Sequence, residues 1–446
     1  MPFFLSPIQA SLETLPGAPS NIPDNECSFG AAGGRLCGRR VAVLLFSYYP
    51  SDSRPRLAAE ALASEGALVD VICLRETRTE PRREIINGVN VRRLGLKRHR
   101  GGKLSYIGQY FAFILWSFVR LTLDSIRARY DVVHVHNMPD VLVLSALVPK
   151  ALGAGIILDL HDPMPELMMS IYNLNAGNYF VRLLKRLERL SIWFADLVLT
   201  PNQAFRELFI KRGCPPGKIQ IVMNSPDHEI FDSSKYDSEM AQSPTNASLF
   251  RIMYHGLIVE RYGLDIALQA FAKARVVIPG LEFHIFGERT PYMNNIDAQV
   301  RELGLSSSVH YHGFQSQIEI AKSITSMDLG IVPNRRNPFT ELNMPIRIFE
   351  YLAMGKPVVV PDTEGIRDYF GPDSALFFNP GDAQSLFNAI VDVYRNRQKV
   401  SSVLKRAEGV CYAHRWEIYR ARFLELVSLL ASANQIGIER ACNLGH

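Results

Sequence analysis

The sequence predicts an α/β protein built from two tandem domains, each a parallel sheet covered by helices. Short apolar runs alternate with helical segments along almost the whole chain, an order that is typical of parallel sheets covered on both faces. The chain is also 446 residues long, which exceeds one ordinary core and fits two domains of ~200 residues.

The first domain is predicted over residues 39–231. Its strands are expected in the runs RRVAVLLF, ALVDVICL, DVVHVHN, GIILDLHD and ADLVLTPN, with helical segments between them. The preceding residues, 1–38, are rich in Gly, Pro, Ser and Ala and show no periodicity, so we expect a disordered leader there.

The second domain is predicted over residues 249–395, after a polar, aperiodic linker at 232–248. Its strands are expected in FRIMYHGLI, LEFHIFGE, VHYHGF, MDLGIVPN and KPVVVP, and GLDIALQAFAKA has helical apolar spacing. Residues 396–446 form a helical tail that we expect to return to the first domain. The predicted fold is therefore two Rossmann-like domains facing across a cleft, where a ligand would bind.

Composition and motifs exclude several function classes. Charged residues make up 21% and the net charge is +5, with no run of basic residues interleaved with aromatics, so no nucleic-acid partner is expected. The six cysteines form no C-x-x-C pair, which favours a reducing compartment without structural zinc. No signal peptide or spanning segment is read, so we expect a cytoplasmic protein. Neither G-x-G-x-x-G nor a P-loop is present, which disfavours a redox cofactor and an ATPase.

One carboxylate stands out in the run IRIFEYLAMGKPVVVP, residues 346–361. Glu350 lies about a turn into a helix that follows a strand and a polar loop. In open α/β sheets ligands bind beyond the carboxyl ends of the strands, so Glu350 could accept hydrogen bonds from the cis-diol of a ribose. The alternative is an ordinary helical glutamate facing solvent.

A series of motifs resembles one enzyme family. NMPIRIFEYLAMGKPVVVP resembles the donor-site signature of glycosyltransferase family four, retaining enzymes with the GT-B fold. SYYPSDSRPRLAAEALASEG, YDVVHVHN and LDLHDPMPE resemble its acceptor-side domain. YHGLIVERYGLDIALQAF, HIFGE and VHYHGF resemble its donor domain, and all occur in the family's order. The resemblance implies transfer of a sugar from a UDP- or GDP-sugar to a glycan or a lipid-linked acceptor, without a cofactor.

The resemblance also implies catalytic residues. Arg261, in ERYG, stands where the family usually has a basic residue on the diphosphate, and His161, in DLHD, would lie in the cleft near the transferred sugar. Alternatives stay open: His161 could be a core histidine, Arg261 a solvated charge, and Asp159 and Asp162 structural. The loop with Arg54 could contact a phosphate or the acceptor, or form a surface turn.

Donor binding is implied for a further set of residues. Glu350 would hold the ribose as the second acid of the family's E-x7-E pattern, and Arg347 would add positive charge near the diphosphate. Backbone near Asn343 would also contribute. Gly287 and Gly313 would pass close to the base and the diphosphate. Because arginines and a helix terminus can stabilise the leaving diphosphate, and no D-x-D motif is seen, we expect no metal.

The sequence departs from the family at two donor positions. The first acid of E-x7-E falls on Leu342, with Glu341 one residue away, so either a register shift brings Glu341 into use or amides near Asn343 replace it. Leu257 follows Gly256 where an arginine is usual. These departures keep open a non-catalytic nucleotide-sugar-binding paralogue; a nucleotide-sugar epimerase of the same fold is the other alternative.

Two segments of the first domain suggest peripheral membrane contact, which would place the protein on the inner face of the membrane. The basic run 96–103 precedes an apolar, aromatic stretch. In 180–194 basic and apolar residues occupy different helical faces. The alternative for each segment is a domain helix with its apolar face in the core.

Overall fold

The structure, a computed structural model, describes residues 34–96, 103–236 and 249–443. It confirms two Rossmann-like α/β domains. The strands of the first sheet are β1 (Arg40–Tyr48), β2 (Leu68–Leu74), β3 (Arg83–Ile86), β4 (Val89–Leu94), β5 (Val132–His136), β6 (Gly155–Asp159), β7 (Leu197–Thr200) and β8 (Ile219–Ile221). They lie in the order β3-β4-β2-β1-β5-β6-β7-β8, and all neighbours are parallel except β3 and β4.

Helices cover both faces of this sheet, which is why β5, β6 and β7 are apolar and buried along almost their whole length. The helices are α1 (Ser53–Ser64), α2 (Lys103–Arg127), α3 (Leu147–Ala151), α4 (Met164–Tyr172), α5 (Tyr179–Phe194) and α6 (Gln203–Lys211). Short 3₁₀ helices span Asp140–Ala146 and Pro216–Lys218.

The second sheet is wholly parallel. Its strands are β9 (Phe250–His255), β10 (Leu281–Phe286), β11 (Val309–Gly313), β12 (Leu329–Ile331), β13 (Val358–Pro361) and β14 (Leu376–Phe378). Their order is β11-β10-β9-β12-β13-β14. The helices are α7 (Leu264–Val277), α8 (Met293–Glu302), α9 (Gln317–Thr325), α10 (Arg347–Ala353), α11 (Glu364–Arg367) and α12 (Ala383–Arg395), with a 3₁₀ turn at Glu260–Tyr262.

The expected leader and linker fall mostly outside the described residues, at 1–33 and 237–248. Their described parts differ from the prediction. Residues 34–38 form a turn in which Leu36 is buried in the first-domain core. Ser233–Tyr236 forms a 3₁₀ helix that buries Tyr236. The folded domain therefore extends further at both ends than the polar composition suggests, because single apolar side chains anchor these segments.

The C-terminal tail returns to the first domain, as predicted. It consists of α13 (Arg397–Ala413) and α14 (Trp416–Asn443), and α14 packs on α1, β5 and β6. Phe423 is buried with its ring centroid 5.4 Å from that of His134. Arg420 donates to Ser64 at 2.9 Å and pairs with Glu65 at 3.0 Å. The tail therefore attaches the C-terminal part of the chain, which follows the second domain, to the first domain.

A loop of the second domain inserts into the first domain. Phe339 is buried within the core cluster of the first domain, and its ring centroid lies 6.2 Å from that of Phe205. The Phe339 amide donates to Ser170 Oγ at 3.3 Å, and Ser170 Oγ donates to Asn337 Oδ1 at 2.6 Å. The two domains therefore face each other at close range.

None of the helices in residues 34–96, 103–236 and 249–443 is both long enough and apolar enough to span a membrane.

If α14 holds the domains together, Phe423→Ala should lower the free energy of unfolding by about 3–5 kcal/mol, because it leaves a cavity in a buried contact. Leu429→Ala, on the same helix at a side chain that is 37% exposed, is the matched control and should cost far less. Guanidinium unfolding followed by circular dichroism measures both. Equal losses in the two variants would contradict the bracing role of α14.

Candidate donor and acceptor site

Three glycines end adjacent strands and make a floor of bare backbone in the second domain. Gly256 follows β9, Gly287 follows β10, and Gly313 ends β11. The amide of Gly256 donates to Phe286 O at 3.0 Å, and that of Gly287 to Gly313 O at 2.8 Å. A Cβ on Gly287 would lie 2.1 Å from Gly256 O, so a side chain has no room there. The floor lies at the carboxyl edge of the sheet, where such folds bind ligands.

Glu350 lies on α10 next to this floor and is buried, so the solvent-facing alternative is wrong. Its Oε2 is 2.7 Å from His255 Nε2, at the end of β9. His255 Nδ1 is 2.9 Å from the hydroxyl of Tyr351, which itself donates to Met253 O at 2.9 Å. The two ring nitrogens of His255 therefore bridge Glu350 and Tyr351. One carboxylate oxygen is thereby fixed by the protein.

Arg347 is buried on the same helix. Its guanidinium donates to His255 O at 2.8 Å and to Asn334 Oδ1 at 3.2 Å, and lies 5.1 Å from the ring centroid of Tyr254. A Cβ on Gly256 would approach Nη1 to 2.6 Å, so the glycine makes room for this charge. Its Nε is buried without a hydrogen-bond partner among the described residues.

The position of Arg347 bears on the missing arginine at Leu257. The guanidinium that the family would supply from the residue after Gly256 is absent, and the Leu257 side chain is partly exposed. Arg347 reaches the same glycine from α10 instead. One positive charge therefore still lies beside the end of β9.

Arg261 lies in the 3₁₀ turn Glu260–Tyr262, with its guanidinium 4.8 Å from the Tyr262 ring centroid. Its Nε is buried and has no hydrogen-bond partner in the described part of the chain. Burial raises the pKa of Asp162 in the first domain, and the charges of His161 and Arg261 oppose that rise. The charge of Arg261 therefore acts on the Asp162 carboxyl.

The loop before α10 departs from both expectations for the first acid. Glu341 pairs with Arg336 at 2.8 Å and does not take the place of Leu342. Leu342 packs against the core of the first domain. The Asn343 amide is occupied by Phe339 O at 3.1 Å, so it is not available to a ligand, but Asn343 Oδ1 is buried without a hydrogen-bond partner among the described residues. The side chain of Asn343 is thus the part of this residue that could bind donor.

His161 lies just beyond β6 with its side chain 18% exposed, so it is neither solvated nor fully in the core. Its amide donates to Asn137 Oδ1 at 2.9 Å, and its Nε2 is 2.8 Å from His136 Nδ1. Burial lowers the pKa of His136 well below its usual value, so that ring is neutral. The neutral His136 ring is therefore joined to His161 by one hydrogen bond between ring nitrogens.

Arg54 and Asp159 form a buried pair below His161. Arg54 Nε and Nη2 donate to the two carboxylate oxygens of Asp159 at 3.0 and 2.8 Å, and Nη1 donates to Val222 O and Asn224 Oδ1 at 2.6 and 2.9 Å. Burial raises the pKa of Asp159, but Arg54 and the nearby histidines outweigh it and hold that pKa well below its usual range. The surface-turn alternative for Arg54 is therefore wrong, while its contact with a phosphate or the acceptor stays a prediction. Asp159 is structural.

Sequence reasoning missed His255 and His136. Each histidine is the last residue of an apolar run, MYH for His255 and VHVH for His136, and so lies at the carboxyl edge of a sheet. That position in the sequence could have identified both residues. The structure brings Glu350, Arg347, Asn343, Gly287 and Gly313 to the second domain's edge. It places His161 just beyond β6 of the first domain and Arg261 in the 3₁₀ turn Glu260–Tyr262 of the second domain.

Two family models match consecutive parts of the chain. "Glycosyl transferase 4-like domain" matches residues 53–225, and "Glycosyl transferases group 1" matches residues 250–396. Together they span most of the chain, one model for each domain.

Curated relatives match only in part. The chain is 27% identical over 147 residues to the "Putative teichuronic acid biosynthesis glycosyltransferase TuaH" of Bacillus subtilis, covering 32% of the chain and 34% of that protein. It is 22% identical over 238 residues to the lipopolysaccharide 1,2-N-acetylglucosaminetransferase of Salmonella typhimurium, covering 51% of the chain and 61% of that protein. The chain thus spans less than two thirds of either relative.

Solved structures match over nearly the whole chain. Sucrose-phosphate synthase from Thermosynechococcus elongatus superposes with a TM-score of 0.70 at 19% identity, covering 89% of this chain and all of that one. HepE from Anabaena, in complex with UDP-glucose, gives a TM-score of 0.65 at 17% identity, covering 87% and 99%. At these identities the likeness shows the fold. With one family model on each domain and this shared architecture, the chain belongs to the family-four-like glycosyltransferases with the GT-B fold.

Proposed function

We propose that the protein transfers a sugar from a nucleoside diphosphate sugar to a hydroxyl of a glycan or lipid-linked acceptor, with retention of anomeric configuration. The observation that carries the proposal is the buried Glu350, held by His255 beside a floor of bare backbone. A carboxylate fixed there can accept hydrogen bonds from a ribose diol, while the backbone floor admits a base and a diphosphate. The UDP-glucose complex of HepE and the transferase relatives support this donor class.

Arg261 and Arg347 would stabilise the diphosphate as it leaves. Both guanidiniums have a buried Nε without a hydrogen-bond partner among the described residues. Fixed positive groups in a closed site stabilise developing negative charge without reorganising, so the residues themselves can serve where other enzymes use a metal. Asn343 Oδ1 and the backbone at Gly287 and Gly313 would complete the donor site.

His161 would act on the sugar from the opposite domain. It lies just beyond β6 in the first domain, and its Nε2 is 2.8 Å from His136 Nδ1. In a front-face reaction the leaving phosphate takes the acceptor proton, so no second carboxylate is needed at the bond. His161 would position the transferred sugar through a hydrogen bond. The two domains, which meet where Phe339 inserts into the first domain, would exclude water from the bound donor when they close.

A non-catalytic binding protein is the second candidate, and Leu342 favours it. The acid of the E-x7-E pattern is absent at that position, and Glu341 is directed at Arg336. Such a protein would bind donor without releasing nucleotide. An epimerase has less support, because Asp159 is engaged on both oxygens by Arg54.

The first domain carries an exposed apolar surface that suits a membrane-bound acceptor. On α2, Phe111, Leu115, Val119 and Leu123 recur every four residues and are 47–68% exposed. Four exposed apolar side chains on one helix face form a larger continuous apolar surface than single apolar residues scattered over a protein surface.

A second stripe runs along α5. Leu183, Leu190 and Trp193 are exposed there, and Trp193 is 75% exposed. The exposed face also carries basic side chains, namely Arg182, Arg186 and Arg189. Both α2 and α5 pack on the 3₁₀ helix Asp140–Ala146.

We therefore propose that this surface, the α2–α5 face, docks on anionic lipid. The exposed apolar side chains contradict the alternative in which both helices bury their whole apolar faces in the core. Residues 97–102 of the basic run 96–103 lie outside the described residues, and the cytoplasmic location stays a prediction.

Glu350→Gln should weaken binding of the correct nucleotide about tenfold, because charge-assisted hydrogen bonds contribute ~1.5–3 kcal/mol and glutamine keeps the shape but not the charge. Calorimetry with UDP and GDP, followed by nucleotide release from a panel of their sugars, measures this. Glu341→Gln, whose carboxylate faces Arg336, is the matched control and should bind as wild type. Equal affinity in wild type and Glu350→Gln would contradict the ribose role; binding without release in wild type would favour the non-catalytic candidate.

The double variant Phe111→Ser, Leu115→Ser should lower partitioning onto phosphatidylglycerol vesicles about tenfold, since two partly inserted apolar side chains contribute more than 1.4 kcal/mol together. Co-sedimentation with these vesicles and with neutral phosphatidylcholine vesicles measures it. The matched control is Val276→Ser, Tyr412→Ser, which changes two exposed apolar residues of the other half of the chain. Membrane docking fails if wild type binds neither vesicle or if both double variants behave alike.

A further inference from the structure

Four polar side chains meet at the edge of the second sheet, away from the floor of glycines. Glu282 and His284 are two residues apart on β10, and His310 and His312 are two apart on β11. His284 pairs with His310 in the register of these parallel strands. Because side chains alternate between faces, residues two apart lie on the same face. One ligand atom from each of Glu282, His284 and His310 lies within 4.8 Å of the others.

The two ring nitrogens of His284 face different partners. Nε2 is 3.4 Å from Glu282 Oε2, and Nδ1 is 3.0 Å from His312 Nε2. His312 is itself fixed by stacking on Phe286, with ring centroids 4.4 Å apart. A histidine that binds a metal through one nitrogen commonly donates its other N–H to an acceptor, which sets its tautomer. His312 is placed to accept that proton and to leave the Nε2 lone pair directed at the carboxylate.

We propose that Glu282, His284 and His310 form a binding site for a zinc ion, with His312 holding His284 in the ligating tautomer. Two imidazole nitrogens and one carboxylate oxygen are a donor set that zinc accepts, with water in the fourth position. The three side chains are only partly buried, so water and the ion can reach them. The ion would tie the edge strand β11 to β10, just before Gly287 and Gly313.

Two features of the surroundings bear on this site. Arg251 Nε also lies 3.3 Å from Glu282 Oε2, so zinc binding requires the carboxylate to turn away from a partly exposed arginine. A second group, His134, His136 and Asp159, is also compact. There, however, Arg54 occupies both carboxylate oxygens, and the group is buried. The β10–β11 group is the one that is open to an ion.

The test is a titration of the tag-free full chain, first stripped with a chelator, with Zn²⁺ alone. Calorimetry should show one equivalent bound, and zinc should raise the Tm, because a ligand that binds the folded state stabilises it. His284→Ala and His310→Ala should abolish this binding event and the Tm rise. His312→Phe should weaken binding about tenfold, as expected for loss of an orienting partner.

His228→Ala is the matched control, a partly exposed histidine outside the cluster, and should bind zinc as wild type does. The Tm of each variant without zinc shows whether it is folded. If a histidine variant fails to fold, Glu282→Gln decides, with weaker zinc binding expected. Absence of zinc binding in wild type, or binding that persists in His284→Ala, His310→Ala and Glu282→Gln, would overturn the proposal.

Discussion

The contact between His255 and Glu350 is the interaction on which the donor half of the molecule depends. It joins the end of β9 to α10 at 2.7 Å, and the guanidinium of Arg347 closes the same corner by donating to the His255 carbonyl at 2.8 Å. A buried carboxylate is costly unless it is paired, and here the pairing also fixes the direction of its oxygens. Everything proposed for the donor follows from this fixed carboxylate and from the bare backbone next to it.

The acceptor half is organised by a different buried pair. Arg54 holds both oxygens of Asp159 and also reaches Val222 and Asn224, so one guanidinium ties the start of α1 to β6 and to the segment that leaves the first domain. His161 projects from the end of that same strand. The pair therefore fixes the position of His161 in the cleft. The insertion of Phe339 and the return of α14 fix the distance between the two domains.

The alternation of apolar runs and helices was enough to predict both sheets, because buried parallel strands are apolar throughout. The same pattern did not predict β3, β4, β8 or β14. These strands are short, lie at or next to a sheet edge, or are partly polar, as β3 is with its sequence REII. The position of His161 at a strand end was predictable, as was that of Glu350 about a turn into the helix that follows a strand and a polar loop. Their partners were not: Arg54 and Asp159 are 105 residues apart, and nothing in the local sequence shows that a polar loop arginine is buried against a strand-end aspartate. The close approach of the Arg347 guanidinium to Gly256 was hidden for the same reason.

A crystal structure of the chain with bound UDP would test most directly whether Glu350 holds a nucleotide ribose. We expect the ribose hydroxyls within hydrogen-bond distance of Glu350 and the diphosphate against Arg261, above Gly256, Gly287 and Gly313. A nucleotide bound elsewhere in the cleft, with Glu350 still in contact with His255 alone, would contradict it.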